Sequence, residues 1–183
     1  MFFCKVAGSL LVTVVLSALC SCGDNLAPSG SDQRPPVQAG STGASVGQKA
    51  PDFSVSDTSG SIVNLAAALN ARKAAVFYFT MWCPICDVHM STIRSSIAPS
   101  FPSVRFFLVD YVSGTVSNAL NSASANGYGG GIYTTLADTN HMLLNNFQGT
   151  MGTTVVVDST GIIRMNEDFR DGTRLQAALA GLP

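Results

Sequence analysis

Residues 74–90 read Ala-Ala-Val-Phe-Tyr-Phe-Thr-Met-Trp-Cys-Pro-Ile-Cys-Asp-Val-His-Met, and this stretch decides the fold. Ala75–Phe79 is short, apolar and aromatic, with no polar alternation, the pattern of a fully buried strand. Helical patterning follows the Cys83-Pro84-Ile85-Cys86 tetrapeptide, with Ile85, Val88 and Ile93 expected on one face and His89 and Thr92 nearby. A Cys-x-x-Cys therefore sits where a strand hands over to a helix.

Two cysteines three apart on a first helical turn lie close enough to bridge. The first also faces the unpaired N–H groups and the positive end of the helix dipole. Both stabilise a thiolate, the attacking species in disulfide exchange. Pro84 fits because early helical residues need no N–H donor. On this reading Cys83 is the exposed nucleophile, and the more buried Cys86 resolves the mixed disulfide. The competing readings are a zinc half-site, a structural disulfide and an inert pair. The remaining three of the five cysteines all lie in the first 22 residues, and His89 and His141 match no common zinc spacing.

Trp82-Cys83-Pro84-Ile85-Cys86 after an apolar strand resembles the thioredoxin superfamily, and more narrowly its TlpA/ResA-like and AhpC/TSA-like redoxins. The resemblance spans roughly the last three quarters of the chain. It implies an α/β thioredoxin-like fold, a mixed central sheet flanked by helices with an N-terminal hairpin extension. It also implies a redox-active Cys83–Cys86 disulfide, with Trp82 and Pro84 beside the substrate groove. No cofactor is called for.

Composition bounds the rest. A chain of 183 residues with 46% hydrophobic residues supports one domain plus an appendage. Charged residues are only 11% and the net charge is −1, with no basic stripe to suggest nucleic acid. Residues 1–21 read as a lipoprotein signal peptide, with Lys5 followed by an apolar run from Val6 to Leu19. Leu19-Cys20-Ser21-Cys22 resembles a lipobox, with Cys22 as the lipidated residue; the alternative is an ordinary secretory signal cut near Ser21. Residues 22–45, rich in Gly, Ser, Pro and Ala, read as a flexible linker, and 46–183 as the domain.

Processing of this kind leaves Cys83 and Cys86 as the only free thiols, in an exported, oxidising compartment facing the periplasm or cell exterior. The pair then either oxidises exported protein thiols or is kept reduced, against protein disulfides, by a membrane redox donor.

Along the domain, Val46-Gly-Gln-Lys-Ala-Pro-Asp-Phe53 resembles the start of redoxin chains. Phe53–Val55 and Ile62–Asn64 form a predicted hairpin, followed by a short helix over Leu65–Asn70. Ala74–Thr80 and Val104–Asp110 are buried strands, and Thr115–Asn126 is a small-residue helix with Val116, Ala119, Leu120 and Ala123 inward. Gly127–Gly131 reads as a surface loop, Thr134–Ala137 as a strand, and Thr139–Phe147 as a helix carrying His141. Thr153–Val157 and Ile162–Met165 pair around a turn, and Asp171–Leu182 closes the fold.

Two departures from the redoxin pattern stand out. Gly152 occupies the position of the redoxin cis-proline; a non-proline cis bond costs about 2.5–4 kcal/mol, so a trans peptide is expected, with Met151 brought toward the sulfurs. The Ala74–Thr80 strand also lacks the buried acid of thioredoxins. Asp110 is the candidate for proton transfer, or else a strand-end turn residue; Asp87 is expected to point outward, and His89 either to perturb the Cys86 environment from one turn away or to lie on the helix surface. Two further functions share this fold. One is a thiol peroxidase, though Pro-x-x-x-Thr-x-x-Cys is absent. The other is a Sco-like copper(I) metallochaperone using Cys83, Cys86 and Met151, or His141 in place of Met151.

Overall fold

The computed structural model describes residues 37–183. The expected signal segment, Cys22 and the first part of the linker lie outside them. Among the described residues no helix is long and apolar enough to cross a membrane.

Seven strands form one mixed sheet, in the order β2-β1-β5-β4-β3-β6-β7. They are β1 (Ser54–Asp57), β2 (Ile62–Asn64), β3 (Ala74–Thr80), β4 (Val104–Asp110), β5 (Tyr133–Ala137), β6 (Thr153–Asp158) and β7 (Ile163–Asp168). The hairpin β1–β2 is antiparallel and extends the sheet by pairing β1 against β5. The strands β3, β4 and β5 run parallel, and β6 runs antiparallel to β3.

Strand β3 is buried at every position. Its two sides nonetheless feed different cores, as the two-residue period requires. Val76 and Tyr78 join Cys86, Met90, Ile93, Leu108, Val156 and Leu175 on one face. Phe77 and Phe79 join Phe53, Phe107, Leu143, Phe147 and Val155 on the other. Phe77 stacks on Phe107 at 5.1 Å and on Phe147 at 5.7 Å, and meets Phe53 edge-on at 5.6 Å. Such contacts add about 0.5–1.5 kcal/mol each beyond area burial.

Among the described residues five helices cover the sheet: α1 (Leu65–Leu69), α2 (Pro84–Thr92), α3 (Val116–Ala125), α4 (Met142–Phe147) and α5 (Thr173–Ala180). Helix α2 continues as a π-turn over Ile93–Ile97 and a 3₁₀ turn over Ala98–Ser100. Pro99 has no N–H and its ring would crowd the carbonyl four residues back, so a regular helix cannot run through it. The Tyr133 hydroxyl donates to the Met90 carbonyl at 2.6 Å, where the helix widens.

The structure corrects several expectations. Ile85 and Val88 are exposed, and α2 with its π-turn buries Cys86, His89, Met90, Ile93 and Ile97 instead. These positions follow the i, i+3, i+4, i+7, i+11 stripe, which a reading confined to Ile and Val missed. Leu120 is exposed, and α3 packs through Ala119 and Ala123. The fourth helix begins only at Met142, because His141 is left-handed at φ 58°. Buried Asp138 caps it, accepting from the Leu143 and Leu144 amides at 3.1 and 2.8 Å.

The last part of the expected linker also lies against the domain. The Gly40 amide donates to the Gly47 carbonyl at 3.0 Å, Thr42 bridges to Lys49, and the Asn166 side chain donates to the Ala44 carbonyl at 2.8 Å. The folded body therefore takes in 37–45.

Two stability measurements follow. A Cβ on Gly149 would stand 2.7 Å from the ring of fully buried Phe79, so Gly149→Ala should destabilise the fold by roughly 1–3 kcal/mol in denaturant titration. Burial alone would raise the Asp158 carboxyl, but bonds from Thr160, Ile162 and Arg164 outweigh it and hold the pKa below 3.8. A depressed folded pKa gives stability that is present above the unfolded value and lost as pH falls through the folded one. Asp158→Asn should therefore cost about 1–3 kcal/mol at neutral pH, with the gap to the parent closing below 3.8.

Candidate active site

The parallel register sets Thr80 opposite Asp110, so β3 and β4 end at one level. The chain then turns through Met81 and Trp82. Trp82 has φ 58°, a left-handed conformation that is a real outlier for so bulky a residue. Its amide bonds to the Thr80 hydroxyl at 3.1 Å, and its indole N–H donates to Asp110 Oδ2 at 2.8 Å. Strain of this kind costs on the order of 1–3 kcal/mol and persists only where the surroundings enforce it. A hydrogen bond to a charged acceptor, about 1.5–3 kcal/mol, is of the size needed to offset it.

Asp110 is 2% exposed and fully occupied. Besides the indole it accepts the Val112 and Ser113 amides on Oδ1 at 3.0 Å each, and the Ser113 hydroxyl on Oδ2 at 2.5 Å. Of the two roles expected for it, the geometry matches the strand-end turn residue, which here also anchors the tryptophan.

Past Trp82, Cys83 caps α2 and Pro84 opens it. Cys83 and Cys86 form a disulfide with Cα atoms 5.0 Å apart. Cys83 is half-buried at the mouth, whereas Cys86 is 0% exposed. The Cys86 amide donates to Cys83 Sγ at 3.2 Å. This is the donor that a helix N-terminus offers to an anion, and it already points at the outer sulfur.

His89 is not on the surface: it is 8% exposed, and its Nδ1 lies 2.9 Å from the Tyr78 hydroxyl. Phe169 packs on the imidazole at 4.7 Å between ring centres. Burial lowers the His89 pKa below 6.5. Burial, and then the neighbouring Tyr111 and Tyr128, push the Tyr78 hydroxyl well above its ordinary range.

On the other flank, Asp87 is exposed as expected but engaged. It accepts the Tyr128 hydroxyl on Oδ1 at 2.6 Å. The expected surface loop 127–131 is thus tied to α2: Tyr128 is buried, and the Arg94 guanidinium lies 4.6 Å over its ring. Burial first, and then the bond to Asp87, push the Tyr128 hydroxyl up to about 12.

The 150–152 loop closes the third side. All described peptides are trans, including those around Gly152. Gly152 has φ 88°, donates to the Phe79 carbonyl at 2.9 Å and accepts from the Phe169 amide at 2.8 Å. Proline, locked near φ −65° and without an N–H, could not adopt this backbone. The departure from the redoxin pattern is therefore built into the loop. Met151 is 36% exposed. His141 Nε2 is 3.0 Å from the Tyr111 carbonyl. Among the described residues no three or more His, Cys, Asp or Glu side chains converge as a metal site.

The structure thus joins Asp110 to Trp82, the residue before Cys83, and sets Gly152 against His89. Tyr78, Tyr128 and Phe169 were missed from sequence. Only Tyr78 carried a signal, as the one phenol in a fully buried strand, where a hydroxyl must find a partner.

Comparisons with known proteins agree with this geometry. Residues 46–166 match the AhpC/TSA family. No curated protein matches the chain. Among solved structures it is similar to MTB DsbF, in mixed oxidised and reduced forms, with 25% identity, TM-score 0.56, and 72% of this chain and 95% of that one covered. It also resembles a secreted Mycobacterium tuberculosis disulfide oxidoreductase homologous to E. coli DsbE, with 20% identity, TM-score 0.55, and 71% and 96% covered. Peroxidoxin BcpB from Mycobacterium tuberculosis matches with 21% identity, TM-score 0.58, and 74% and 94% covered. These likenesses and the Cys83–Cys86 pair at the mouth of the fold identify the chain as a member of the AhpC/TSA family, a thiol–disulfide oxidoreductase on a thioredoxin-like scaffold.

Proposed function

We propose that this chain is an exported oxidoreductase, tethered to a membrane through lipid on Cys22, that exchanges disulfides with exported proteins. The observation that carries the disulfide-exchange part is the asymmetry of the pair. Cys83 is half-buried at a helix N-terminus with an amide aimed at its sulfur, and Cys86 is fully enclosed behind it. In the reductive direction the Cys83 thiolate attacks a partner disulfide, forming a mixed disulfide and releasing one partner thiol. Cys86 then displaces the second, leaving the Cys83–Cys86 disulfide. The reverse sequence oxidises partner dithiols. On this reading Trp82, Pro84, Met151 and Gly152 form the groove for the partner. Export and lipidation rest on the 1–22 sequence, with the secreted likeness as support for export.

A peroxidase is the second reading, favoured by the family match. Against it, the chain supplies the threonine of the Pro-x-x-x-Thr-x-x-Cys arrangement as Thr80 but has Val76 where that arrangement has proline.

An anaerobic redox titration of the full chain, with Trp82 fluorescence and thiol trapping, tests the first reading. A two-electron couple is expected. A midpoint near or below about −250 mV means a reductant supplied by a membrane donor, and one near −120 mV an oxidant. Absence of a Cys83–Cys86 couple at any poise would sink the proposal. Cys86→Ser should accumulate a mixed disulfide on Cys83, and Cys83→Ser should abolish exchange. Peroxide should oxidise the reduced pair no faster than a free thiol; rapid oxidation would transfer the assignment to the peroxidase. Release of the protein from membranes by Cys22→Ser checks the anchor.

A further inference from the structure

We infer that His89, oriented by Tyr78, takes the proton from the Cys86 thiol as that cysteine resolves the mixed disulfide. The inference rests on the exchange reading above and names a residue that reading did not assign.

The resolving thiol has an electrostatic difficulty. Cys86 is 0% exposed, and burial disfavours its thiolate. A nearby base must remove the proton as the sulfur attacks. Asp110 is occupied by four hydrogen bonds, and exposed Asp87 is held by Tyr128. His89 remains. It stands three residues after Cys86 on the same buried stripe, a spacing that brings Cβ atoms to about 5–6 Å. Helical side chains lean toward the N-terminus, so the imidazole leans toward the turn that carries Cys86.

The groups facing His89 are few. Tyr78 comes from β3, Phe169 from the segment after β7, and the Gly152 backbone from the loop before β6; Cys86 lies three residues before it on its own helix. Only Tyr78 and Cys86 titrate. A Cβ on Gly152 would stand 3.9 Å from Nδ1, so this edge of the ring is walled by the glycine loop and by Tyr78. In the tautomer whose Nδ1–H is donated to the Tyr78 oxygen, which the inference assigns, the Nε2 lone pair is left for the proton. This is the base-plus-orienter arrangement of activated nucleophiles.

The step balances without an added oxidant. The Cys86 S–H bond breaks and its proton passes to Nε2. The sulfur electron pair forms the Cys86–Cys83 bond, the Cys83–partner S–S bond breaks, and the partner leaves as a thiolate. That thiolate or solvent then takes the proton back from His89.

The test uses the full chain with Cys4, Cys20 and Cys22 changed to serine, so that two thiols remain. A nitrobenzoate disulfide reagent releases one coloured thiolate when Cys83 attacks it and a second when Cys86 displaces it from Cys83. In the parent the second release should fall with acid through an inflection below 6.5, where His89 takes up a proton. His89→Gln should remove that inflection and slow the second release about 100-fold at pH 7, leaving the first unchanged. Tyr78→Phe, which preserves the packing, should slow it about tenfold, the loss of one hydrogen bond to the base. Unchanged second-release rates and pH profiles in both variants would overturn the inference. If His89→Gln does not fold, Tyr78→Phe decides alone, with an unchanged rate overturning it. A parent that gives only the first release would instead overturn the role of Cys86 and the inference with it.

Discussion

The parallel pairing of Ala74–Thr80 with Val104–Asp110 places the ends of two buried strands side by side, and the site is assembled from that shared edge. Asp110 reaches sideways to the indole of Trp82, and the left-handed turn at Trp82 delivers Cys83 to the start of α2. A slip of register by one residue would turn Asp110 to the other face of the sheet and release the tryptophan. The strain at Trp82 is tolerable because a buried carboxylate, itself satisfied by two amides and a hydroxyl, holds the ring.

Behind the disulfide, polar groups are sorted by partner. The Asp110 carboxylate serves the loop and the tryptophan, Tyr128 ties the glycine-rich loop to Asp87, and Tyr78 is paired with His89. The Tyr78 and Tyr128 hydroxyls and the His89 ring each meet a polar neighbour, which avoids the roughly 1–3 kcal/mol cost of leaving them unpaired. The π-turn after α2 belongs to the same arrangement, since Tyr133 bonds the carbonyl where the helix widens before Pro99.

The glycine at 152 ties the loop chemistry to the helix. Its left-handed backbone bonds to Phe79 and Phe169 at once, so one residue joins β3, the segment after β7 and the face of His89. A redoxin with proline at this point must shape the groove differently, because proline can neither donate that bond nor adopt that φ.

Much of this was legible in the chain itself. The unbroken apolar runs at 74–80 and 104–110 announce buried parallel strands, and Trp82-Cys83-Pro84-Ile85-Cys86 between strand and helix announces the redox pair. Both are local: they depend on side-chain period and on the geometry of one helical turn. What sequence could not supply is which polar groups meet across elements. His89 looked like a surface residue, Gly127–Gly131 like a free loop and 37–45 like a linker, because each takes its role from residues far along the chain. Tyr78 lies 11 residues from His89, Tyr128 lies 41 from Asp87, and Asn166 lies 122 from Ala44. Pattern and spacing determined the strands, the first helical turn and the cysteine pair. Tertiary packing alone decided the partners of these buried polar groups, since burial makes an unpaired group costly and only the folded topology brings candidates within reach.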